Sequence, residues 1–265
     1  MLTYEEQKAE IASLNLVDDP FFLEVMQDKE CCQETLRILL QKPDLQVLSN
    51  QVNRTIPNLT GKAVKLDLIC TDGSGNIINV EMQKSNDTNH QKRVRYNMAS
   101  IDTLSVKKGL DYDALPDVYV VFISAFDMFQ QQKTTYHIRR IIEETDTFVE
   151  NGTHEIYVNT KIDDGSDIAQ LMQYFKHSAG IHPLFQKLSS QVNYYKENLE
   201  GVRHMSNAFD RYADAKVAEK VAEQARDAAI FLLKEGIDPN IVAKANNLSL
   251  ETVLQLQKEI QVEHA

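Results

Sequence analysis

The chain has 265 residues, of which 43% are hydrophobic and 25% charged. That is enough for one large domain or a core with an appendage, and it excludes a disordered chain. The formal net charge of −11 argues against a protein that coats nucleic acid through bulk charge. No apolar run is long enough to span a bilayer, and the start, Met1-Leu-Thr-Tyr-Glu-Glu6, lacks the basic-then-apolar pattern of a signal peptide. A cytoplasmic protein with no membrane partner is expected.

Residues 1–17 read as a loosely attached lead-in containing a short helix. Asp18-Asp19-Pro20 is a helix-start signal, because Asp caps and Pro suits the first turn; Phe21, Phe22, Val25 and Met26 follow at helical spacing. Cys32, Leu36 and Leu39 stripe a second helix over residues 30–40, and Pro43 ends it. The cysteines, Cys31, Cys32 and Cys70, show no zinc-ligand or C-x-x-C spacing and read as buried small hydrophobes in a reducing compartment. Residues 46–57 include a first strand. Residues 63–70 and 77–83 read as two strands around the turn Asp72-Gly73-Ser74-Gly75-Asn76.

An amphipathic helix is expected over residues 89–106, with Val94, Met98, Ile101 and Leu104 as its apolar stripe and Gly109 closing it. Lys92, Arg93 and Arg95 cluster in its first half. Between Lys84 and Lys108 six basic residues, Lys107 among them, stand against Asp87 and Asp102: a local basic face in an acidic chain, although such a run is usually just solvated. The near-continuous apolar run of residues 117–123 marks a strand buried on both faces and parallel to an earlier one, and residues 154–160 give one more strand. Beyond residue 167 the chain turns helical, over 167–176, 183–198 and an Ala-rich, charged stretch at 209–235. Pro239, Asn246-Asn247 and Ser249 then punctuate two short helices in the manner of a helix-turn-helix. This could bind DNA, or could be a helical hairpin that packs on neighbours or builds oligomers. The net acidic charge after Gly236 favours the second.

The chemistry is concentrated in the two-strand motif. With the turn centred at Ser74, Asp67 and Glu81 come close across the ladder, and Glu81 and Gln83 share one face while Val80 and Met82 share the other. Two facing carboxylates and an amide suit a hard cation, and this is how a metal-dependent phosphodiesterase holds its ion. The plainer alternative is a solvated outer face.

Asp18-Asp19-Pro-Phe-Phe22, Val64-Lys-Leu-Asp67, Asn79-Val-Glu-Met-Gln83, Arg93-Val-Arg95-Tyr96, Lys108-Gly-Leu-Asp-Tyr112, Leu115-Pro-Asp117 and Ala125-Phe-Asp-Met-Phe129 occur in an order that resembles the Rpn family, recombination-promoting nucleases or transposases of the PD-(D/E)XK nuclease superfamily. The resemblance covers residues 18–160 and extends more loosely into the tail. It implies an α/β, restriction-endonuclease-like mixed sheet flanked by helices, with a nuclease-like domain over residues 18–200 and a helical extension over 201–265. It also implies metal-dependent DNA cleavage. Asp67 and Glu81 match the family's acids and would ligate Mg²⁺ or Mn²⁺ with the backbone carbonyl of Met82. Gln83 stands where the superfamily has its signature Lys and would orient a water. Arg93 and Arg95 match the basic pair that holds the DNA backbone.

With Gln83 neutral, Lys65 or Arg95 are candidates to lend charge, and Glu24 or Glu34 of the first helices could complete the acid set. The expected function is therefore a divalent-metal-dependent DNA endonuclease associated with recombination or transposition. The alternative is a catalytically weak or inactive relative that binds DNA or assembles. A homo-oligomer built through the tail is the expected assembly.

Overall fold

The computed structural model describes residues 3–57, 63–87, 89–105 and 111–263. The chain divides into two compact units, residues 1–208 and 209–265. In the first unit, helices α1 (Tyr4–Ser13), α2 (Asp19–Met26) and α3 (Lys29–Leu39) precede strands β1 (Val47–Ile56), β2 (Val64–Asp72) and β3 (Ile77–Gln83). Helix α4 (His90–Ser105) then crosses to β4 (Val118–Ser124). Strands β5 (Thr135–Ile138), β6 (Arg140–Ile142), β7 (Thr147–Val149) and β8 (Thr153–Asn159) follow, then helices α5 (Asp167–Lys176) and α6 (Gln186–Glu197).

Six strands form one mixed sheet in the order β1-β2-β3-β4-β8-β5, and β6 and β7 pair as a separate hairpin. β1, β2 and β3 run antiparallel in turn, whereas β3, β4 and β8 are parallel. The expected parallel placement of β4 is thus observed, with α4 as the crossover that a parallel pair requires. β4 is buried on both faces, as its unbroken apolar run implies. The stripe of α4 packs Val94, Met98 and Ile101 onto Leu66, Ile69, Val120 and Phe122, while Leu104 is left exposed. Asn89 caps α4 by accepting the Lys92 N–H at 3.0 Å. Val106, Lys107, Lys108 and Gly109 lie outside the described residues.

The start of the chain is tied down more firmly than its sequence suggests. Thr3 and Glu6 form a capping box at the head of α1. Ile11 and Leu16 are fully buried. The Leu16 N–H donates to Ser178 Oγ at 2.8 Å, and Lys196 Nζ donates to the carbonyls of Ala12 and Ser178. α1 therefore packs on α6, an attachment made by residues far away in sequence. Cys31, Cys32 and Cys70 are buried free thiols, as expected, with Cys32 and Cys70 Sγ atoms 3.2 Å apart between α3 and β2. Asp127, part of the family-like motif after β4, pins its own loop by accepting from Tyr136 Oη at 2.6 Å and from the N–H groups of Gln130 and Gln132.

The second unit contains most of α7 (Leu199–Lys234), α8 (Pro239–Ala245) and α9 (Leu250–Glu263). Asp238 caps α8, and Ser249 caps α9 by accepting the Thr252 N–H at 3.1 Å. Ala229, Leu233, Val242, Val253 and Leu256 form a small core of their own, with Arg226 and Glu259 paired at 2.8 Å on its surface. Among the described residues no helix is long and apolar enough to cross a membrane.

If the first helix is integral to the fold, Leu16→Ala should cost about 2–5 kcal/mol, the loss typical of a buried leucine. Urea unfolding measures this, and a loss below about 1 kcal/mol, in the range of surface substitutions, would make the segment a dispensable lead-in.

Candidate active site

The site lies where β2 and β3 stop pairing. Their ladder runs from Thr71↔Ile77 to Leu68↔Val80, one step short of Asp67 and Glu81. On the other side of β2, between the pairs Val52↔Leu68 and Arg54↔Leu66, Asn53 of β1 adopts a left-handed backbone (φ 52°), which Asn tolerates better than most residues. Past this point side chains take over the main-chain hydrogen bonds. The Asp67 N–H donates to Glu81 Oε1 at 3.3 Å, and the Met82 N–H donates to Asp67 Oδ2 at 2.9 Å.

The expected convergence of Asp67 and Glu81 is therefore what the structure contains, and neither side chain is simply solvated. Glu81 is fully buried, and Asp67 is half-buried. Glu81 Oε1 also accepts from Asn79 Nδ2 at 2.9 Å, and the same amide group donates to the Leu68 carbonyl at 3.0 Å. Asn79 is a site residue that the sequence reading missed. Its signal was available, since it lies two residues before Glu81 and hence on the same face.

Arg93, from the first turn of α4, lies across β3. Its Nη2 donates to Glu81 Oε2 at 2.6 Å and its Nη1 to Gln83 Oε1 at 2.9 Å. Gln83 Nε2 donates to the Ser85 carbonyl at 2.9 Å and to Ser85 Oγ at 3.3 Å. Both ends of the amide expected to orient a water are thus engaged. Arg95 is exposed and two positions away, so it does not share Arg93's direction. Lys84 pairs with Asp18. Asp18 sits at the N-cap of α2, with Pro20 in the first turn as expected, yet its carboxylate serves Lys84 and the Asn15 N–H rather than the helix. Of the acids considered for completing the set, Glu24 is held by His204 Nε2 at 2.6 Å and Glu34 accepts the Leu188 N–H at 2.8 Å; both are committed elsewhere. The helix acid that acts on Asp67 electrostatically is Asp19, at the start of α2.

Burial, and after it the charge of Glu81, push the Asp67 carboxyl up to about 7; Asp19 adds to this, while the Met82 N–H and Arg93 oppose it. Burial also raises Glu81, against the pull of Arg93 and Asn79. Both shifts disfavour the doubly ionised pair, and a bound cation would offset them.

The donors fit a hard dication. Asp67 uses Oδ2 on Met82, while Oδ1 makes no hydrogen bond among the described residues. The Met82 N–H faces β2, so its carbonyl faces that side too, because both groups of one residue in an extended strand project the same way. The next carbonyl, that of Gln83, faces the other way and accepts the Ala125 N–H at 3.0 Å. All three candidate ligands, Asp67, Glu81 and the Met82 carbonyl, are oxygen donors. Among the described residues no group of three or more His, Cys, Asp or Glu side chains is placed to hold a metal, so this is at most a two-carboxylate site.

A mixed sheet whose acid pair lies at the carboxyl end of a parallel strand, with an arginine paired to one of the two acids, defines an α/β protein with a carboxylate site. Residues 22–159 match the family model described as PD-(D/E)XK nuclease family transposase, and the chain belongs to that family. The matched stretch includes Asp67, Asn79, Glu81, Met82, Gln83 and Arg93. No curated protein and no solved structure matches the chain.

The raised Asp67 carboxyl has a consequence for stability. The folded chain holds this proton to a higher pH than the unfolded chain does, so the contribution is most favourable below about 4 and is lost as pH rises toward 7. Without divalent cations, Asp67→Asn should melt above the wild type at pH near 8, with the gap closing near pH 4. Thermal melts followed by circular dichroism test this, and a gap independent of pH would contradict the assignment.

Proposed function

We propose that this chain is a divalent-cation-dependent DNA endonuclease that hydrolyses phosphodiester bonds, acting in recombination or transposition. The observation that carries the reading is the pairing of half-buried Asp67 with buried Glu81 at the end of the β2–β3 ladder, with one Asp67 oxygen unused among the described residues, inside a nuclease-family match. Asp67, Glu81 and the Met82 carbonyl would hold Mg²⁺ or Mn²⁺. Bound there, such an ion polarises a phosphate oxygen and lowers the pKa of a water. The chain's own residues prepare the site for this. Asn79 and the Asp67 N–H fix the direction of Glu81, and Arg93 pulls against the burial that raises its carboxyl. The exposed Lys92 and Arg95 on α4 would contact the DNA backbone, placing the strand without reading its bases.

One observation favours a second reading, in which the fold binds DNA or assembles without cutting it: both Glu81 oxygens already have donors. Plasmid incubation separates the two readings. Nicking should appear with Mg²⁺ or Mn²⁺, vanish in excess chelator, and be lost in Asp67→Ala and Glu81→Ala with the fold retained. Cleavage that persists without metal, or in either variant, would sink the endonuclease assignment.

Self-association is assigned to the second unit, where Val217, Val221 and Phe231 of α7 are exposed. Sedimentation of the full chain should give a multimer, and a chain ending at Ala208 should sediment as a monomer that still nicks plasmid. An unchanged mass ratio after truncation would place self-association elsewhere.

A further inference from the structure

The resemblance implies that Gln83 stands where the superfamily has its signature lysine, and the neighbours of Gln83 give the amide a role of its own. Its Oε1 accepts from Arg93 Nη1 at 2.9 Å, and its Nε2 donates to the Ser85 carbonyl at 2.9 Å. The orientation of the amide is fixed by both partners, because a guanidinium offers only donors and a carbonyl only accepts. Ser85 is held in turn, its hydroxyl donating to Asp87 Oδ2 at 2.9 Å. Arg93 spans Glu81 and Gln83, two positions apart on one face of β3, as a planar fork. A lysine at position 83 would offer no acceptor, and would set an ammonium against the guanidinium.

We propose that Gln83 and Arg93 act as one unit: Gln83 is a positioning residue that holds the Arg93 guanidinium on Glu81, and Arg93 carries from α4 the positive charge that a strand lysine would otherwise supply to the reacting phosphate. The proposal rests on the metal-dependent nuclease reading above.

Three further observations support it. Arg93 uses two of its five N–H groups in these bonds, which leaves donors for a phosphate. Its side chain is 38% exposed while that of Glu81 is 0% exposed, so it reaches from the buried acid to the solvent. Two neighbouring cations are directed elsewhere: Lys84 is paired with Asp18, and Arg95 points away from Arg93 around the helix.

The experiment is a charge-swap cycle on the full chain, read by calorimetric titration with Mn²⁺ alone and by plasmid nicking. Arg93→Gln removes a like charge from beside the cation site, so Mn²⁺ should bind about tenfold tighter while nicking falls about a hundredfold. Gln83→Lys with Arg93 in place should weaken Mn²⁺ binding and also lower nicking. The double variant Gln83→Lys with Arg93→Gln restores one positive charge. It should bind Mn²⁺ within a few-fold of the wild type and nick faster than either single variant, a non-additive result expected only of groups acting together.

Unchanged Mn²⁺ affinity in Arg93→Gln, or a double variant no faster than Gln83→Lys, overturns the proposal. If Arg93→Gln does not fold, Arg93→Lys substitutes for it. Lysine keeps the charge but cannot fork across two acceptors, so Mn²⁺ affinity should hold while nicking drops, and full nicking would overturn the proposal. Asp67→Asn separates the two levels. If it leaves Mn²⁺ binding intact, the metal-site reading itself fails. If it abolishes binding while the cycle is additive, only the Gln83–Arg93 pairing fails.

Discussion

Asp67 and Glu81 repel one another where water is scarce, and most of the surrounding structure is arranged around that repulsion. The β2–β3 ladder stops at Leu68↔Val80, which frees two N–H groups to face the carboxylates. Asn79 spans the last rung and steadies Glu81. α4 is seated by Val94, Met98 and Ile101, and this fixes the direction from which Arg93 reaches the pair. A buried acid pair with one arginine still carries unbalanced charge, so the fold accepts a local cost at this place. An apolar pair at the same positions would pack with less strain but would hold nothing.

The parts of the fold that were legible in the sequence are those whose signals are local. The turn at Ser74 and the apolar run of β4 could be read because turn chemistry and apolar pattern lie within a few residues. β5, β6 and β7 were not foreseen. They are strands of three or four residues, largely exposed, and β5 is defined by pairing with β8 rather than by any pattern of its own. The anchoring of α1 was hidden for the same reason, since its partners Ser178 and Lys196 are remote in sequence. At the site, spacing brought Asp67, Glu81 and Gln83 together on paper. It could not say that Arg93 turns inward while Arg95 turns out, because that depends on the roll of α4 against the sheet.

The charge distribution also differs from what a tally suggests. Lys84 and Arg93, two of the basic residues that marked out a positive face, are matched by Asp18 and Glu81. What remains exposed on α4 is Lys92 and Arg95, on a chain of net charge −11. Such a chain would meet a polyanion against its own long-range field, so contacts with phosphate would have to be made at short range by a few well-placed groups. A fixed guanidinium suits that role better than a flexible ammonium does.

The clasp between α1 and α6 bears on how the chain is made. Leu16 is closed in by Ser178, and Lys196 reaches back to Ala12, so the first unit joins its beginning to residues near its end. During synthesis from the N-terminus, the strands carrying Asp67 and Glu81 emerge long before the helices that complete the layer behind α1. Closing such distant contacts is slow compared with forming a hairpin. The strands that carry the acid pair can therefore pair early, whereas the clasp between α1 and α6 has to wait until residue 196 has left the exit tunnel. The length of polypeptide still to be translated sets the earliest moment at which that clasp can close.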